Sequence, residues 1–266
     1  MHFDRRLTSP RDLGYKAVIV NVSDVAAMAG SPRAAVCALT LGPEADAAWT
    51  MELLGGMREA CDEHALWLVG GDLSRGRATS IAVTVTGEIA PGAAVLRSGA
   101  KVGDRLVVTG ALGASAAGLR VARTGRIMGE LDRSLLHAHF RPVARVGEAQ
   151  LLARRGATAL MDVSDGLTLD LSRLCAASDV GARVRLGDVP VASGATLDDA
   201  LSGGEDYELL ATLPEGVVAA AHDELRESFG VSLTEIGGII EGGLVAVYAD
   251  LRESTLEPRG WDHFAG

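Results

Sequence analysis

Two strand-and-helix blocks in tandem make this sequence an α/β (α+β) protein of two domains. Apolar runs of strand length alternate with longer segments of helical period. A loop carrying Pro91, Gly92, Gly99 and Gly103 parts the blocks, and acidic residues collect at glycine turns beside predicted strand ends. The expected domains are therefore 1–98 and 99–266, with the break at residues 98–103. The chain has 266 residues, of which 48% are hydrophobic and only 4% aromatic, so small aliphatic side chains must build its cores.

In chain order, residues 13–28 predict a helix ended by Gly30 and Pro32. Residues 34–41 predict a strand, 45–64 an amphipathic helix, and 66–69 a short buried strand running into a sharp turn at Gly70-Gly71-Asp72. A strand over 78–89 completes the first block. The second opens with a strand at 104–110, followed by two helices and a buried strand at 157–161. A turn then enters a helix that runs from 167 to near Gly181. A strand at 182–186, a turn at 201–208 entering another strand, a helix at 217–229, and strands near 237–240 and 244–248 complete the chain. There is no internal repeat and no low-complexity tract.

Composition excludes several classes of function. A net charge of −10 with scattered Lys and Arg argues against a nucleic-acid surface, and an anionic phosphate ligand would need divalent cations between it and the protein. No apolar run reaches the roughly 18 residues of a membrane helix, and the first residues lack a signal-peptide core; the expected location is the cytoplasm. Cys37, Cys61 and Cys175 are widely spaced and odd in number, as reduced buried thiols would be. His137 and His139 lie two apart on a predicted helix, a spacing that points the rings away from each other and speaks against a zinc site.

The most informative segment is Met161-Asp162-Val163-Ser164-Asp165-Gly166, where two carboxylates stand at a predicted strand-to-helix turn. Such turns open onto the crevice in which α/β proteins place their ligands. Asp24, Asp72 and the Glu205-Asp206 pair are further acids near helix or strand ends, and a carboxylate cluster of this kind suits magnesium. Each has a structural alternative: Asp165 as a helix cap, Gly70-Gly71-Asp72 as an ordinary turn, Glu205 and Asp206 as solvent-facing acids. Residues 110–118 form a glycine-bearing strand-to-helix turn whose amides could touch phosphate, although neither a dinucleotide fingerprint nor a P-loop is present. Trp261 stands near the end of the chain, either as an anchor in a groove or as a stacking surface for a flat cationic heterocycle.

Taken in order, Asn-Val-Ser-Asp-Val-Ala-Ala-Met (21–28), Gly-Gly-Asp-Leu-Ser-Arg-Gly (70–76), Arg97-Ser98-Gly99-Ala100, Met-Asp-Val-Ser-Asp-Gly-Leu (161–167), Leu-Ser-Gly-Gly-Glu-Asp-Tyr-Glu-Leu (201–209) and Gly-Trp-Asp-His-Phe (260–264) resemble the thiamine-monophosphate kinase family. The resemblance implies the PurM-like fold of the aminoimidazole-ribonucleotide synthetase superfamily: an N-terminal mixed sheet with helices, through which two copies dimerise, and a C-terminal α/β domain. It implies ATP-dependent phosphorylation of thiamine phosphate with several Mg2+ ions. By position, it implies metal ligation by Asp24, Asp72, Asp162 and Asp165, and ATP contacts from Gly71, Asp72, Arg97 and Ser164. His2, Glu205 and Trp261 would meet the thiamine phosphate. Asp162, Asp165 and Arg97 would carry the transfer. Family members place a Gly-Asp-Asp-Ala-Ala segment and a strand ahead of the His-Phe that stands here at residues 2 and 3, so the resemblance also implies that part of the metal site is missing from this sequence, either because the sequence is a truncated form or because the protein has reduced function. Two other readings stay open: another ATP-using enzyme of the superfamily, and a non-catalytic nucleotide-binding or dimerisation module.

Overall fold

In the computed structural model, which describes residues 3–261, the chain forms two sheets flanked by helices. The first block comprises α1 (Pro10–Ala26), β1 (Ser31–Leu41), α2 (Ala47–Glu63), β2 (Trp67–Arg75) and β3 (Ser80–Glu88). Its three-stranded sheet has the order β2-β1-β3, with β2 parallel and β3 antiparallel to β1. The second block comprises β4 (Arg105–Thr109), α3 (Ala114–Thr124), α4 (Glu130–Phe140), α5 (Val146–Arg154), β5 (Ala159–Asp162), α6 (Leu167–Ser178), β6 (Gly181–Arg185), α7 (Leu197–Ser202), β7 (Leu209–Leu213), α8 (Val218–Phe229), β8 (Leu233–Ile240), β9 (Leu244–Val247) and β10 (Glu253–Thr255). Its seven-stranded sheet has the order β10-β9-β6-β8-β4-β7-β5. Among the described residues, no helix is long and apolar enough to cross a membrane.

Strand alternation explains the layering. In β4, Leu106 and Val108 enter one core with Leu171 and Leu174 of α6, whereas Val107 enters another with Leu151 and Leu152 of α5 and Leu225 of α8. Successive side chains on a strand point to opposite faces, so a short apolar run can serve two cores at once. The N-terminal core is built from Val18, Ile19 and Val22 of α1, Leu53 and Met57 of α2, and Cys37 and Leu39 of β1. All three cysteines are free and buried.

The helix α1 links the two blocks. Ser9 caps it by accepting the Asp12 N–H, and Pro10 occupies the first turn, where no intrahelical partner for an N–H is needed. It packs against α2, β1 and β3 of its own block and against α4, α5 and β5 of the other. Close packing on α2 depends on two glycines: a methyl on Gly14 would overlap the Leu53 carbonyl, and one on Gly56 would overlap the Arg11 carbonyl. Gly55, the adjacent residue, would meet only the tip of the Arg11 side chain.

The structure corrects several sequence expectations. Gly70-Gly71-Asp72 is not a turn, because β2 runs straight through it to Arg75. Gly71 is needed where β2 crosses Cys37: a β-carbon there would overlap the Cys37 carbonyl, close to a register shift that leaves Val69 without a partner on β1. Nor is the start of this strand buried, since Trp67 is 74% exposed and Val69 64%. The second block has three helices before β5, not two, and α7, which no sequence pattern marked, ends on residues 201 and 202, where a turn was expected. A capping box between Thr196 and Asp199 starts α7.

The glycine contact between α1 and α2 yields a paired prediction. Gly56→Ala lowers the unfolding free energy by about 1–3 kcal/mol through overpacking, whereas Gly55→Ala leaves it unchanged or raises it by up to about 1 kcal/mol. Urea denaturation of the two variants checks both signs.

Candidate functional site

Antiparallel pairing of β5 with β7 builds the centre of the site. Asp162, the last residue of β5, lies opposite Leu209, the first residue of β7, so the chain leaving β5 runs beside the chain entering β7. The pairing continues past the strands. Val163 N donates to Glu208 O at 2.8 Å, Tyr207 N to Val163 O at 2.9 Å, and Glu205 N to Ser164 O at 2.7 Å. Two sequence-distant motifs, residues 161–166 and 203–208, are thereby zipped together. The contact is tight enough to require Gly204, which has φ 69° and whose missing side chain leaves room for the Ser164 carbonyl. Glu205 and Tyr207 also have positive φ, at 58° and 53°, a strained choice for residues that carry a side chain.

The acid turn is shaped from within by Asp170, a residue that sequence reasoning missed. Its carboxylate is fully buried and accepts N–H bonds from Ser164, Asp165 and Gly166 at 3.0, 2.9 and 3.1 Å. Arg173, one turn further along α6, donates to Asp170 at 2.9 Å and also pairs with Asp165. Three converging amides at a helix start form an anion nest, filled here by the protein's own carboxylate. Asp165 is therefore not the cap of α6; Gly166 holds that position, and Asp165 is tied to Arg173. The available signal was an acid in the first turn of a predicted helix, which reads as an ordinary dipole effect.

Asp162 is buried, and desolvation raises its pKa to about 6, reinforced by the nearby charges of Asp24 and Asp170. Its polar partner is Ser23, whose hydroxyl donates to Asp162 Oδ2 at 2.5 Å from across the boundary between blocks. Asp24, next along α1, stands at the surface, and desolvation also raises its pKa. Asp72 lies exposed on β2, opposite Ala38. Among the described residues, no three His, Cys, Asp or Glu side chains converge into a ready metal cluster. The structure thus brings Asp24 and Asp162 together, sets Asp165 against an arginine, and holds Asp72 on the other sheet.

The remaining candidates fall around this centre. Gly71 has its own packing reason, given above. Arg97 is exposed in the loop between blocks, its carbonyl accepting the Ser178 hydroxyl at 2.9 Å. Trp261 N donates to Asp165 O at 2.9 Å, and Thr168 exchanges two hydrogen bonds of 2.9 Å with Arg259, so the C-terminal strap lies along the acid turn. His2 and residues 262–264 lie outside the described residues.

Glu205 and Asp206 have separate roles. Asp206 accepts the N–H groups of Gly113 and Ser115 at 2.8 and 3.3 Å, occupying the start of α3 that sequence reading offered to a phosphate; burial raises its pKa to about 7. Glu205 pairs with Lys16 of α1 at 2.9 Å, and its second oxygen lies 3.6 Å from His139 Nδ1. His139 also meets the Ser115 hydroxyl at 2.9 Å. Burial, then the nearby Lys16 cation, pushes the imidazole pKa down to about 4.

The family described as AIR synthase related protein, N-terminal domain, matches residues 1–89, and its C-terminal domain matches residues 101–250. Thiamine-monophosphate kinase of Escherichia coli K12 is 39% identical over 269 residues, covering 96% of this chain and 81% of that protein. The crystal structure of thiamine-monophosphate kinase from Stenotrophomonas maltophilia K279a superposes with a TM-score of 0.85 at 36% identity, covering 92% of this chain and 81% of that one. A structure of AaThiL complexed with AMPPCP and TMP also gives a TM-score of 0.85, at 32% identity, with 97% and 82% covered.

Two measurements test the site. Asp170→Asn loses part of the amide nest and the Arg173 pairing, and is expected to cost about 3 kcal/mol of stability in urea denaturation. His139 titrates at about 4 when folded, against 6.5 for an unperturbed ring, so its contribution is present above pH 6.5 and is lost as pH falls toward 4. The full shift corresponds to about 3 kcal/mol. Stability measured from pH 7 to pH 5 should fall more steeply in the wild type than in His139→Asn.

Proposed function

Because the chain belongs to the thiamine-monophosphate kinases of the AIR synthase related family, we propose that it transfers the γ-phosphoryl group of ATP to thiamine monophosphate, releasing thiamine diphosphate and ADP. The observation that carries this reading is the meeting of three elements at the β5–β7 end. There the acid turn, the strained Glu205 loop and the Trp261 strap adjoin, in a chain similar along nearly its whole length to such kinases. AMPPCP, bound in AaThiL together with TMP, is an ATP analogue whose β–γ bridge cannot be cleaved.

The donor set suits magnesium. Asp162 and Asp24 are near enough to repel each other: burial is the main cause that raises the Asp162 pKa, the Asp24 and Asp170 charges add to it, and the Ser23 hydrogen bond opposes it. Hard divalent ions, several in this reading, would relieve that repulsion, with Asp24, Asp72, Asp162 and Asp165 as the proposed ligands divided among them. When bound, magnesium would neutralise phosphate oxygens as charge develops during transfer.

The chain's own residues bind and orient. Ser164, its amide committed to Asp170, would contact the nucleotide phosphates together with Gly71, Asp72 and Arg97 in this reading. Trp261 offers its ring to the cationic thiazolium, and Glu205 offers a carboxylate to the same charge. No general base is required, because the acceptor phosphate is already an anionic nucleophile at neutral pH. An oxygen of that phosphate attacks the γ-phosphorus as the β–γ bridge breaks, and the electron pair leaves on ADP.

The same reading divides the chain into domains at residues 98 and 99 and places it in the cytoplasm as a homodimer. The apolar residues Trp67, Val69 and Leu73, exposed along β2, support the dimer.

Incubation with ATP, magnesium and thiamine monophosphate should yield thiamine diphosphate, and Asp162→Asn should lower kcat by about 100-fold. Binding of both substrates by the wild type with no thiamine diphosphate formed would contradict the assignment.

A further inference from the structure

The helix α1 crosses between blocks at two points on one face. Lys16 and Ser23 are seven residues apart, two helical turns and about 10 Å along the axis. Ser23 reaches Asp162, and Lys16 reaches Glu205, so a single rigid element touches both ends of the proposed site. Lys16 is mostly shielded from solvent, its side chain 15% exposed, and its ammonium donates to the His139 carbonyl at 2.7 Å as well as pairing with Glu205 at 2.9 Å. A desolvated ammonium is costly unless paired, so this contact is maintained for a reason that packing alone does not supply.

Glu205 needs such a partner. Its backbone is held at φ 58°, between Gly204 at φ 69° and the Asp206 carboxylate that caps α3. Its side chain is 38% exposed, enough to swing into water if nothing holds it. The groups around it are Lys16 of α1, and His139 of α4 with Ser115 of α3 behind the imidazole. Because desolvation keeps that imidazole neutral at physiological pH, the cation facing Glu205 is Lys16, whose pKa burial lowers and the paired Glu205 carboxylate holds up.

We propose that Lys16 is a positioning residue. From the N-terminal block it holds the Glu205 carboxylate in the orientation that receives the thiazolium of thiamine monophosphate, and so makes recognition of this substrate depend on the seating of α1 between the blocks. The proposal rests on the kinase reading above for the identity of the ligand. It also accounts for a largely buried lysine that the phosphoryl transfer itself does not use.

The test compares Lys16→Met, Lys16→Arg, Glu205→Gln and the Lys16→Met/Glu205→Gln pair. Lys16→Met keeps the length of the side chain and removes its charge, and the released Glu205 can be hydrated. It should raise the Kd and KM for thiamine monophosphate about tenfold, the cost of one charged hydrogen bond, while the KM for ATP stays within about twofold. Lys16→Arg should recover most of the loss, and the double variant should be no weaker than the weaker single variant. Equal effects on both substrates, or additive effects in the double variant, would overturn the proposal and leave Lys16 a stability residue. NMR titration of His139 gives a readout independent of turnover. Its ring faces Lys16, Arg123 and Glu205, so removing the lysine should raise the imidazole pKa from about 4; an unchanged value overturns the contact itself. If the wild type binds no thiamine monophosphate, the kinase reading fails separately, and the His139 titration still decides whether Lys16 holds this cluster.

Discussion

The site depends on one buried carboxylate. Asp170 takes three amides that a turn leaving a strand would otherwise expose, and in doing so fixes the path of the chain from β5 into α6. An acid buried without such partners would be a liability, and an amide nest without an anion would attract one from solution. With the nest filled internally by Asp170, the carboxylates of Asp162 and Asp165 are left for other partners, which in this structure are Ser23 and Arg173. The β5–β7 pairing then carries the effect across to the Glu205 loop, and the strap that carries Trp261 runs along the same turn.

Helix α1 supplies the second constraint. Glycine against backbone at two points on α2 brings it close to its own block, while Ser23 and Lys16 extend from it into the other. The two contacts lie two turns apart on one helix, so α1 braces Asp162 and the Glu205 side chain at a separation that helical geometry fixes. That is the useful property for a direct transfer between two bound anions, where positioning and charge neutralisation do most of the work and little covalent chemistry is asked of the protein.

Much of this was legible in the sequence, for specific reasons. Periodicity marked α1 and α2, apolar runs marked β1, β3 and β4, and the spacing of Asp162 and Asp165 marked the turn. What was hidden depended on partners far along the chain. Gly70-Gly71 looks like a turn until Cys37 is seen to need the space, and β2 looks buried until its neighbours are counted as a three-stranded sheet with that strand at its edge. Lys16 and Asp170 read as an ordinary helix lysine and an ordinary first-turn acid. Their importance comes from Glu205 and from the amides of 164–166, which local sequence does not bring together. The helix start at Gly113 advertised a phosphate site that Asp206, more than ninety residues later, already fills.

The central claim is that the acid turn is preformed by Asp170 and presents Asp162 and its neighbours to a metal-bound nucleotide. Crystals grown with AMPPCP and manganese in place of magnesium test it most directly, because anomalous scattering locates each ion. The account predicts manganese between the nucleotide phosphates and the carboxylates of Asp24 and Asp162, with Asp170 still accepting the amides of Ser164, Asp165 and Gly166. Manganese coordinated by Asp170, or bound only at sites remote from Asp162, would contradict it.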